Sequence, residues 1–273
     1  MTNAVERLLE RLDLDPGETT ETTSTWHGET GKSALNMSNR LFGGMVVAQT
    51  VVAAGRTHPE HKLHSVQQFF LRGGRADSPA TYRVERLFQG RTYASVRVEV
   101  HQSNELISHA QIGLSMGIDG PNRQDAAPTI VPRDQTVNRD ELRKRANWED
   151  QPVAMHIDPA TEGDALPVME TWIHPAGPMP QDPLLHKAVL AYVSDRALMS
   201  VAWRPHGEHA SFKGSTLDHS LWFHRPVQFD DWHSYCMQSP TIADGRGLNI
   251  GQLHHHDGTH VATSVQQGTF REV

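Results

Sequence analysis

The hydrophobic pattern divides the chain into two halves that follow the same plan. In the first half, apolar and small residues at 45–55 predict a helix buried on most sides. Segments with the period of two typical of β-strands follow it, at residues 63–71, 80–89, 92–102 and 105–116. In the second half, a predicted helix at residues 183–198 precedes strands at 215–224, 233–240, 247–255 and 259–271. The pattern therefore predicts that each half of the chain forms a helix followed by an antiparallel meander.

Matching residues in the two halves indicate an internal duplication. At a constant offset of 155 positions, the same residue recurs in both halves, as in the pairs Gly90 and Gly245, Gln111 and Gln266, and Gly113 and Gly268. A repeated supersecondary unit decides the architecture of such a chain. We therefore expect an N-terminal repeat at residues 1–118 and a C-terminal repeat at residues 168–273. Residues 119–167 are rich in Pro, Asp, Arg and Asn, and we interpret them as a connector.

Residues 214–226 are the densest stretch of the chain in side chains that carry chemistry. They include a hydroxyl at Thr216, a carboxylate at Asp218 and imidazoles at His219 and His224, beside two aromatic residues and an arginine. Alternation along a strand predicts that Thr216 and Asp218 lie on one face and His219 on the other. We interpret Asp218 as structural, because it and His219 then cannot serve the same site.

Composition excludes several classes of protein. Of the 273 residues, 37% are hydrophobic and 21% are charged, which is ordinary for a globular chain. A net charge of −7 provides no basic footprint for nucleic acid. The single cysteine, Cys236, forms no intramolecular disulfide and fits a reducing compartment. No apolar run reaches the roughly 20 residues of a membrane-spanning helix, and the N-terminus lacks a signal peptide. We therefore expect a cytoplasmic protein without a nucleic-acid or membrane partner.

The histidines do not predict a metal site. On a strand, His254 and His256 share a face while His255 points away, and Asp257-Gly258 predicts a turn, so a surface hairpin is the better interpretation. The other histidines lack the recurrent spacing of metal ligands. No Gly-rich loop of the nucleotide-binding kinds occurs either. We expect neither a metal nor a cofactor.

Five blocks of the sequence resemble, in order and spacing, those of the acyl-CoA thioesterase II family. They are Leu41-Phe42-Gly43-Gly44, His64-Ser65-Val66 with Phe70-Leu71-Arg72, Ala191-Tyr192-Val193-Ser194-Asp195, the stretch from Thr216 to Pro226, and Val265-Gln266-Gln267-Gly268. The resemblance extends from about residue 20 to the C-terminus outside the connector. It implies an α+β double hotdog: two tandem hotdog repeats, each with a long helix packed on a curved antiparallel β-sheet. It also implies hydrolysis of fatty acyl-CoA to fatty acid and CoA.

The resemblance assigns the catalytic groups to three positions: Asp195, Thr216 and Gln266. A carboxylate can accept a proton from water, and a hydroxyl and an amide can hold that water, so no covalent intermediate is required. Aligning the helices of the two halves pairs Asp195 with Val52, so only the second half completes the triad. Gly43 and Gly44 precede the first helix, where free N–H groups can hold an oxyanion and where glycines also permit close packing.

Substrate recognition and assembly are less specified by the sequence. Arg72, Arg225 and Arg246 are our candidates for binding the CoA phosphates, although residues 71–74 depart from the Phe-Leu-Arg-Pro-Gly usual in the family. The resemblance implies a homodimer or homotetramer. Two alternatives remain open: a non-catalytic acyl-CoA binding or sensing protein, and a hotdog hydratase or dehydratase. The latter needs an Asp–His pair along the helix, and residues 192–199 contain no histidine.

Overall fold

The computed structural model describes residues 2–31, 39–144, 150–163, 165–206 and 212–272. Within them, the strands form one antiparallel sheet in the order β1-β2-β4-β5-β6-β3-β10-β13-β12-β11-β9-β8-β7. The strands are β1 Asp15–Thr19, β2 Thr23–Gly28, β3 Lys62–Phe70, β4 Ala80–Gln89, β5 Tyr93–Gln102, β6 Glu105–Ser115, β7 Val137–Asn138, β8 Val153–Ile157, β9 Val168–Pro175, β10 Phe212–Phe223, β11 His233–Ala243, β12 Arg246–His255 and β13 His260–Glu272.

The strand order shows the two repeats. On one side of the sheet the order β4-β5-β6-β3 is mirrored by β10-β13-β12-β11 on the other. The two sets meet where β3 pairs with β10, and this antiparallel pair joins the repeats into a continuous sheet. The fold is a double hotdog, as expected, with both repeats in one sheet.

Two helices lie side by side against the inner face of the sheet. Among the described residues, the helices are α1 Ala4–Leu12, α2 Gly43–Thr57, α3 Arg139–Leu142 and α4 Pro183–Ser194, with 3₁₀ segments at Arg133–Gln135, Pro159–Thr161 and Leu198–His206. The long helices α2 and α4 run antiparallel, because a side chain at Gly43 would meet Asp195 and one at Gly55 would meet Leu184. Both helices are buried almost throughout. Each fully buried Val or Leu contributes about 1.5–3 kcal/mol to folding.

The second long helix ends earlier than the hydrophobic pattern predicts. It stops at Ser194, and Asp195 is its C-cap residue. Ala197 then has a φ of 68°, a left-handed conformation that interrupts the helix before the 3₁₀ segment begins. Asp195 is therefore half-buried at the end of the helix and does not lie inside it.

The register of the repeat differs from the constant offset of 155 positions. At that offset Gln111 matches Gln266, but Gln111 is exposed and Gln266 is fully buried. Burial instead aligns Gln266 with Ile112, one residue along. The constant offset is therefore wrong for this strand, because a slip of one residue moves every side chain to the opposite face of a sheet. The helix alignment that paired Asp195 with Val52 is also shifted, since Gly55 occupies the corresponding crossing point.

The segment between the halves is tied closely to the second repeat. It contains α3 and the short strands β7 and β8, and β8 pairs with β9. The buried guanidinium of Arg196 donates hydrogen bonds to the carboxylate of Asp140 and to the carbonyl oxygen of Val153. Burial lowers the pKa of Arg196 to about 9. The exact domain boundaries stay a prediction.

Candidate active site

A β-bulge in β10 places Thr216 on the inner face of the sheet. Thr216 pairs with Gly268 and Asp218 pairs with Gln267, so two steps along β10 correspond to one along β13. His219 pairs with Gln266, and cross-strand partners share a face. Thr216 therefore lies on the same face as His219, and the prediction of opposite faces was wrong. The bulge is the reason, because it inserts one residue, Leu217, and reverses the alternation.

Gln266 connects the two other residues of the predicted triad. Its side-chain Nε2 donates a hydrogen bond to Oδ1 of Asp195 and another, of 3.2 Å, to Oγ1 of Thr216. Both hydrogens of the amide are thus used, and Asp195 fixes the orientation of the amide because a carboxylate only accepts. Gln266 is fully buried. The structure therefore brings these three predicted residues, which are distant in sequence, into one hydrogen-bonded group.

The start of α2 lies directly against this group. A Cβ atom at Gly43 would be 2.9 Å from Oδ2 of Asp195 and 3.3 Å from Cζ of Phe70. At Gly44, a Cβ atom would collide with the carbonyl oxygen of Tyr192 in α4. The first N–H groups of a helix have no acceptor within it and carry partial positive charge. The glycine pair thus permits close helix packing and also brings such donors near the carboxylate.

The residue before Asp195 is held by buried polar groups. Ser194 donates a hydrogen bond through Oγ to the carbonyl oxygen of Ala191, at 2.9 Å, and the same Oγ lies 2.9 Å from Nε2 of His219. The hydroxyl of Tyr235 donates to the carbonyl oxygen of Ser194. All three side chains at Ser194, His219 and Tyr235 are buried. Burial lowers the pKa of His219, although the charge of Asp195 acts against that shift.

A cavity of about 910 Å³ opens beside Asp195 and Thr216. Both repeats and the connector line it. Its described lining includes apolar side chains from Leu41, Phe42, Val46, Phe70, Ile107, Met169, Met199, Trp203 and Leu217. It also includes six arginines, at positions 40, 72, 139, 143, 196 and 204, against the carboxylates of Glu162 and Asp195. A cavity with this lining suits a ligand that has both an apolar and an anionic part.

The three predicted phosphate-binding arginines lie in different places. Arg72 lines the cavity, half-exposed, with Nε 2.7 Å from a carboxylate oxygen of Glu105. Arg225 is not among the lining residues, and it donates hydrogen bonds to the carbonyl oxygen of His260 and to Asn122. Arg246 is in the β11–β12 hairpin near Asp244 and is also outside the lining. The structure thus brings only Arg72 to the cavity.

Other arginines of the cavity were missed by sequence reasoning. Arg40 donates a hydrogen bond of 3.1 Å to Oγ of Ser215, next to Thr216. Arg139 and Arg143 come from the segment predicted as a connector, and both are near a carboxylate oxygen of Glu162, at 2.9 and 3.1 Å. In the sequence, these two arginines are marked only by a spacing of four positions, one at the start of the short helix α3 and the other just after its end. That spacing does not indicate which surface the helix faces.

Two groups of described residues have the geometry to hold a metal ion, and both lie outside the cavity lining. They are His58 with Glu60 and His61, and Asp231 with His255 and His256. The predicted turn at Asp257-Gly258 is confirmed between β12 and β13, but the prediction that His254 and His256 share a face was wrong, because His254 is buried and stacks on His260 while His256 is exposed. Strand β12 ends at His255, so alternation does not continue to His256.

The thiol of Cys236 lies in β11, and burial raises its pKa to about 12, which leaves it unreactive at neutral pH.

Comparisons with known proteins agree with the fold. Residues 141–269 match the sequence profile of the family described as acyl-CoA thioesterase, and residues 32–115 match the acyl-CoA thioesterase N-terminal domain. Acyl-CoA thioesterase 2 of Haemophilus influenzae is 32% identical over 251 residues, which cover 85% of this chain and 88% of the relative. Human acyl-coenzyme A thioesterase 8 is 31% identical over 259 residues, with 86% and 81% covered.

Solved structures show the same architecture. The acyl-CoA thioesterase II TesB2 of Mycobacterium marinum superposes with a TM-score of 0.82 at 29% identity, and 98% of each chain is covered. A hotdog protein from Alicyclobacillus acidocaldarius, at 15% identity, superposes with a TM-score of 0.76 over 97% of this chain and 98% of its own. The fold and these relatives thus define a double-hotdog protein of the thioester hydrolase class. The chain belongs to the acyl-CoA thioesterase family. In the described residues, no helix is both long and apolar enough to cross a membrane.

Proposed function

We propose that this enzyme hydrolyses fatty acyl-CoA by direct attack of a water molecule held by Asp195 and Thr216. The observation that carries the proposal is the pair of hydrogen bonds from the Gln266 amide to Asp195 and Thr216. With its own oxygen occupied as an acceptor, the Thr216 hydroxyl keeps its hydrogen available for a ligand in the cavity. Oδ2 of Asp195 faces the start of α2, where a reacting carbonyl group would meet it.

The reaction then proceeds as follows. Asp195 accepts a proton from the water while the water oxygen bonds to the thioester carbonyl carbon. The carbonyl oxygen becomes an oxyanion, which the N–H groups at Gly43 and Gly44 stabilise, with about 3–4 kcal/mol for each well-placed donor. The tetrahedral intermediate collapses, the C–S bond breaks, and the CoA thiolate takes the proton from Asp195. The products are a fatty acid and CoA.

The arginines supply the site for the CoA phosphates in this proposal. Arg40, Arg72 and Arg143 are exposed residues of the cavity lining. Guanidinium groups bind phosphate through paired hydrogen bonds and charge. The net charge of the whole chain is −7, so this local positive patch matters for attracting a polyanionic substrate.

The test is release of free thiol from a series of acyl-CoA substrates of increasing chain length, followed by a single turnover in ¹⁸O-water. Direct attack by water puts one ¹⁸O atom into the fatty acid and none into the peptide that contains Asp195. Label in that peptide would instead show a covalent acyl–aspartate. Tight acyl-CoA binding without thiol release at any chain length would replace the proposal with a binding or sensing protein.

The homodimer or homotetramer and the cytoplasmic location remain predictions. Light scattering during size-exclusion chromatography would measure the mass of the assembly. A monomeric mass would contradict the first prediction.

A further inference from the structure

His219 shares no hydrogen bond with the three proposed catalytic side chains, yet it lies opposite Gln266 and is close enough to Asp195 to feel its charge. It is fully buried in β10, directly opposite Gln266 on β13. Its Nε2 atom is 2.9 Å from Oγ of Ser194, the residue before Asp195. A buried imidazole that only filled space would cost free energy relative to an apolar side chain. We therefore expect an interaction of this imidazole that offsets the cost of its burial.

The hydrogen bonds of Ser194 determine the tautomer of His219. A serine hydroxyl has one hydrogen, and that of Ser194 is donated to the carbonyl oxygen of Ala191. Nε2 of His219 must therefore be the donor in its contact with Oγ, so the imidazole carries its proton on Nε2. Nδ1 is then unprotonated, and it has no hydrogen-bond partner among the described residues. Burial lowers the pKa of His219, in agreement with a neutral ring.

We propose that His219 is a positioning residue for Asp195, and that it acts by donating a hydrogen bond from Nε2 to Ser194. This inference rests on the proposed role of Asp195 as the proton acceptor. Asp195 is the C-cap residue of α4, beyond the last residue of the regular helix. Helix ends fray unless other groups hold them. His219 holds the side chain of Ser194, and Tyr235 holds its carbonyl oxygen.

The same histidine also links two parts of the site, the strand pair β10–β13 and the end of α4. Through the β10–β13 pairing, the backbone of His219 is in register with Gln266. Through Ser194, its side chain is attached to the end of α4. A shift of Asp195 relative to Gln266 by about 1 Å is enough to reduce turnover by about a hundredfold. His219 thus connects the strand that positions the amide with the helix that positions the carboxylate.

Paired substitutions test this role. His219→Gln keeps an N–H donor near the position of Nε2, whereas His219→Asn is too short to reach Ser194. We expect His219→Asn and Ser194→Ala each to lower kcat by about 10- to 100-fold with KM changed less than about threefold. His219→Gln should recover kcat to within about fivefold of wild type. The matched control is Ser239→Ala, which removes the hydroxyl of a buried serine that donates a 2.8 Å hydrogen bond to the carbonyl oxygen of Leu248, outside the cavity lining, and should leave kcat within about threefold.

The double variant His219→Asn/Ser194→Ala decides whether the two residues act as one unit. We expect no loss beyond that of either single variant, since both remove the same hydrogen bond. Losses that multiply, or equal losses in His219→Asn and His219→Gln, would overturn the proposal. Melting temperatures measured alongside show whether reduced kcat merely follows unfolding.

A readout independent of activity separates this inference from the proposed function. In ¹⁵N-histidine-labelled protein, the signal missing from a His219 variant identifies this residue. It should show a proton on Nε2, and its chemical shift should change in Ser194→Ala. A proton on Nδ1 would overturn the positioning role, even in a fully active enzyme. Conversely, wild-type activity in Asp195→Asn would overturn the proposed function and leave the tautomer assignment standing.

Discussion

The two ends of the α2–α4 pair have similar backbone geometry and different chemistry. At one end Gly43 of α2 approaches Asp195, and the cavity opens beside it. At the other end Gly55 approaches the side chain of Leu184, and neither residue lines the cavity. Both crossings have a glycine at the point where an added Cβ would meet a side chain from α4 or its C-cap, which is Asp195 at one end and Leu184 at the other. The duplicated fold thus provides two equivalent crossings, and one carboxylate makes only one of them a candidate active site.

The largest expected effect is the loss of turnover when the charge of Asp195 is removed, compared with removal of the charge at the other end of α4. Asp195→Asn should lower kcat by about 1,000-fold, because a positioned proton acceptor contributes about 10²–10⁴-fold. The control is Asp182→Asn at the other end of α4, where Asp182 caps the helix by accepting from the N–H of Leu184 at 2.8 Å. Asparagine caps as well as aspartate does, so kcat should stay within about twofold. Equal losses in the two variants would remove the distinction between the ends.

The end near Leu184 contains a buried histidine that should make the fold sensitive to acid. Near this end, His186 of α4 accepts a hydrogen bond from the N–H of Phe229. The ring of Phe229 packs in turn against His233, which is fully buried. Burial lowers the pKa of His233 to about 4. Since the unfolded chain titrates near 6.5, it binds more protons than the folded chain between pH 6.5 and 4. Stability should therefore fall as the pH is lowered through that window, by about 3 kcal/mol from this residue.

Urea unfolding at several pH values measures this dependence. Asparagine in His233→Asn keeps a donor near the Nδ1 position but does not titrate, so the variant should show a flatter curve below pH 6.5. An unchanged slope would assign the acid sensitivity to other histidines. Buried His254, whose pKa is also lowered to about 4, is the next candidate.

The smallest effect should come from adding a methyl group at each crossing. In Gly43→Ala the new Cβ would be 2.9 Å from Oδ2 of Asp195, so the carboxylate must move and kcat should fall by about tenfold. In Gly55→Ala the Cβ would be 2.5 Å from Cδ1 of Leu184, which is the flexible end of a side chain. At this position, replacing glycine by alanine stabilises the helix by about 0.5–1 kcal/mol, and the steric cost of moving the Leu184 side chain opposes that gain.

We therefore expect Gly55→Ala to change stability by less than about 1 kcal/mol and to leave kcat unchanged. Steady-state kinetics and thermal unfolding of both variants provide the comparison. A loss of kcat in Gly55→Ala equal to that in Gly43→Ala would mean that helix packing in general, and not contact with Asp195, controls turnover.

Local pattern was sufficient to predict much of this molecule. The two long helices, the main strands of both halves and the two-part plan all follow from hydrophobic periodicity, which depends only on neighbours along the chain. The family followed from short blocks such as residues 216–226, and those blocks also pointed to Asp195, Thr216 and Gln266. That these three share one hydrogen-bonded group was not visible in any one block.

The tertiary structure decided how these side chains face one another. Thr216 reaches the inner face because β10 bulges against β13, and such a bulge depends on pairing with a distant strand. Arg139 and Arg143 line the cavity because the segment that carries them folds back on the second repeat, whereas Arg225 and Arg246 are held elsewhere. Sequence spacing records neither kind of contact. Residue types and secondary structure are therefore local properties of this chain, while the composition of its cavity depends on long-range packing.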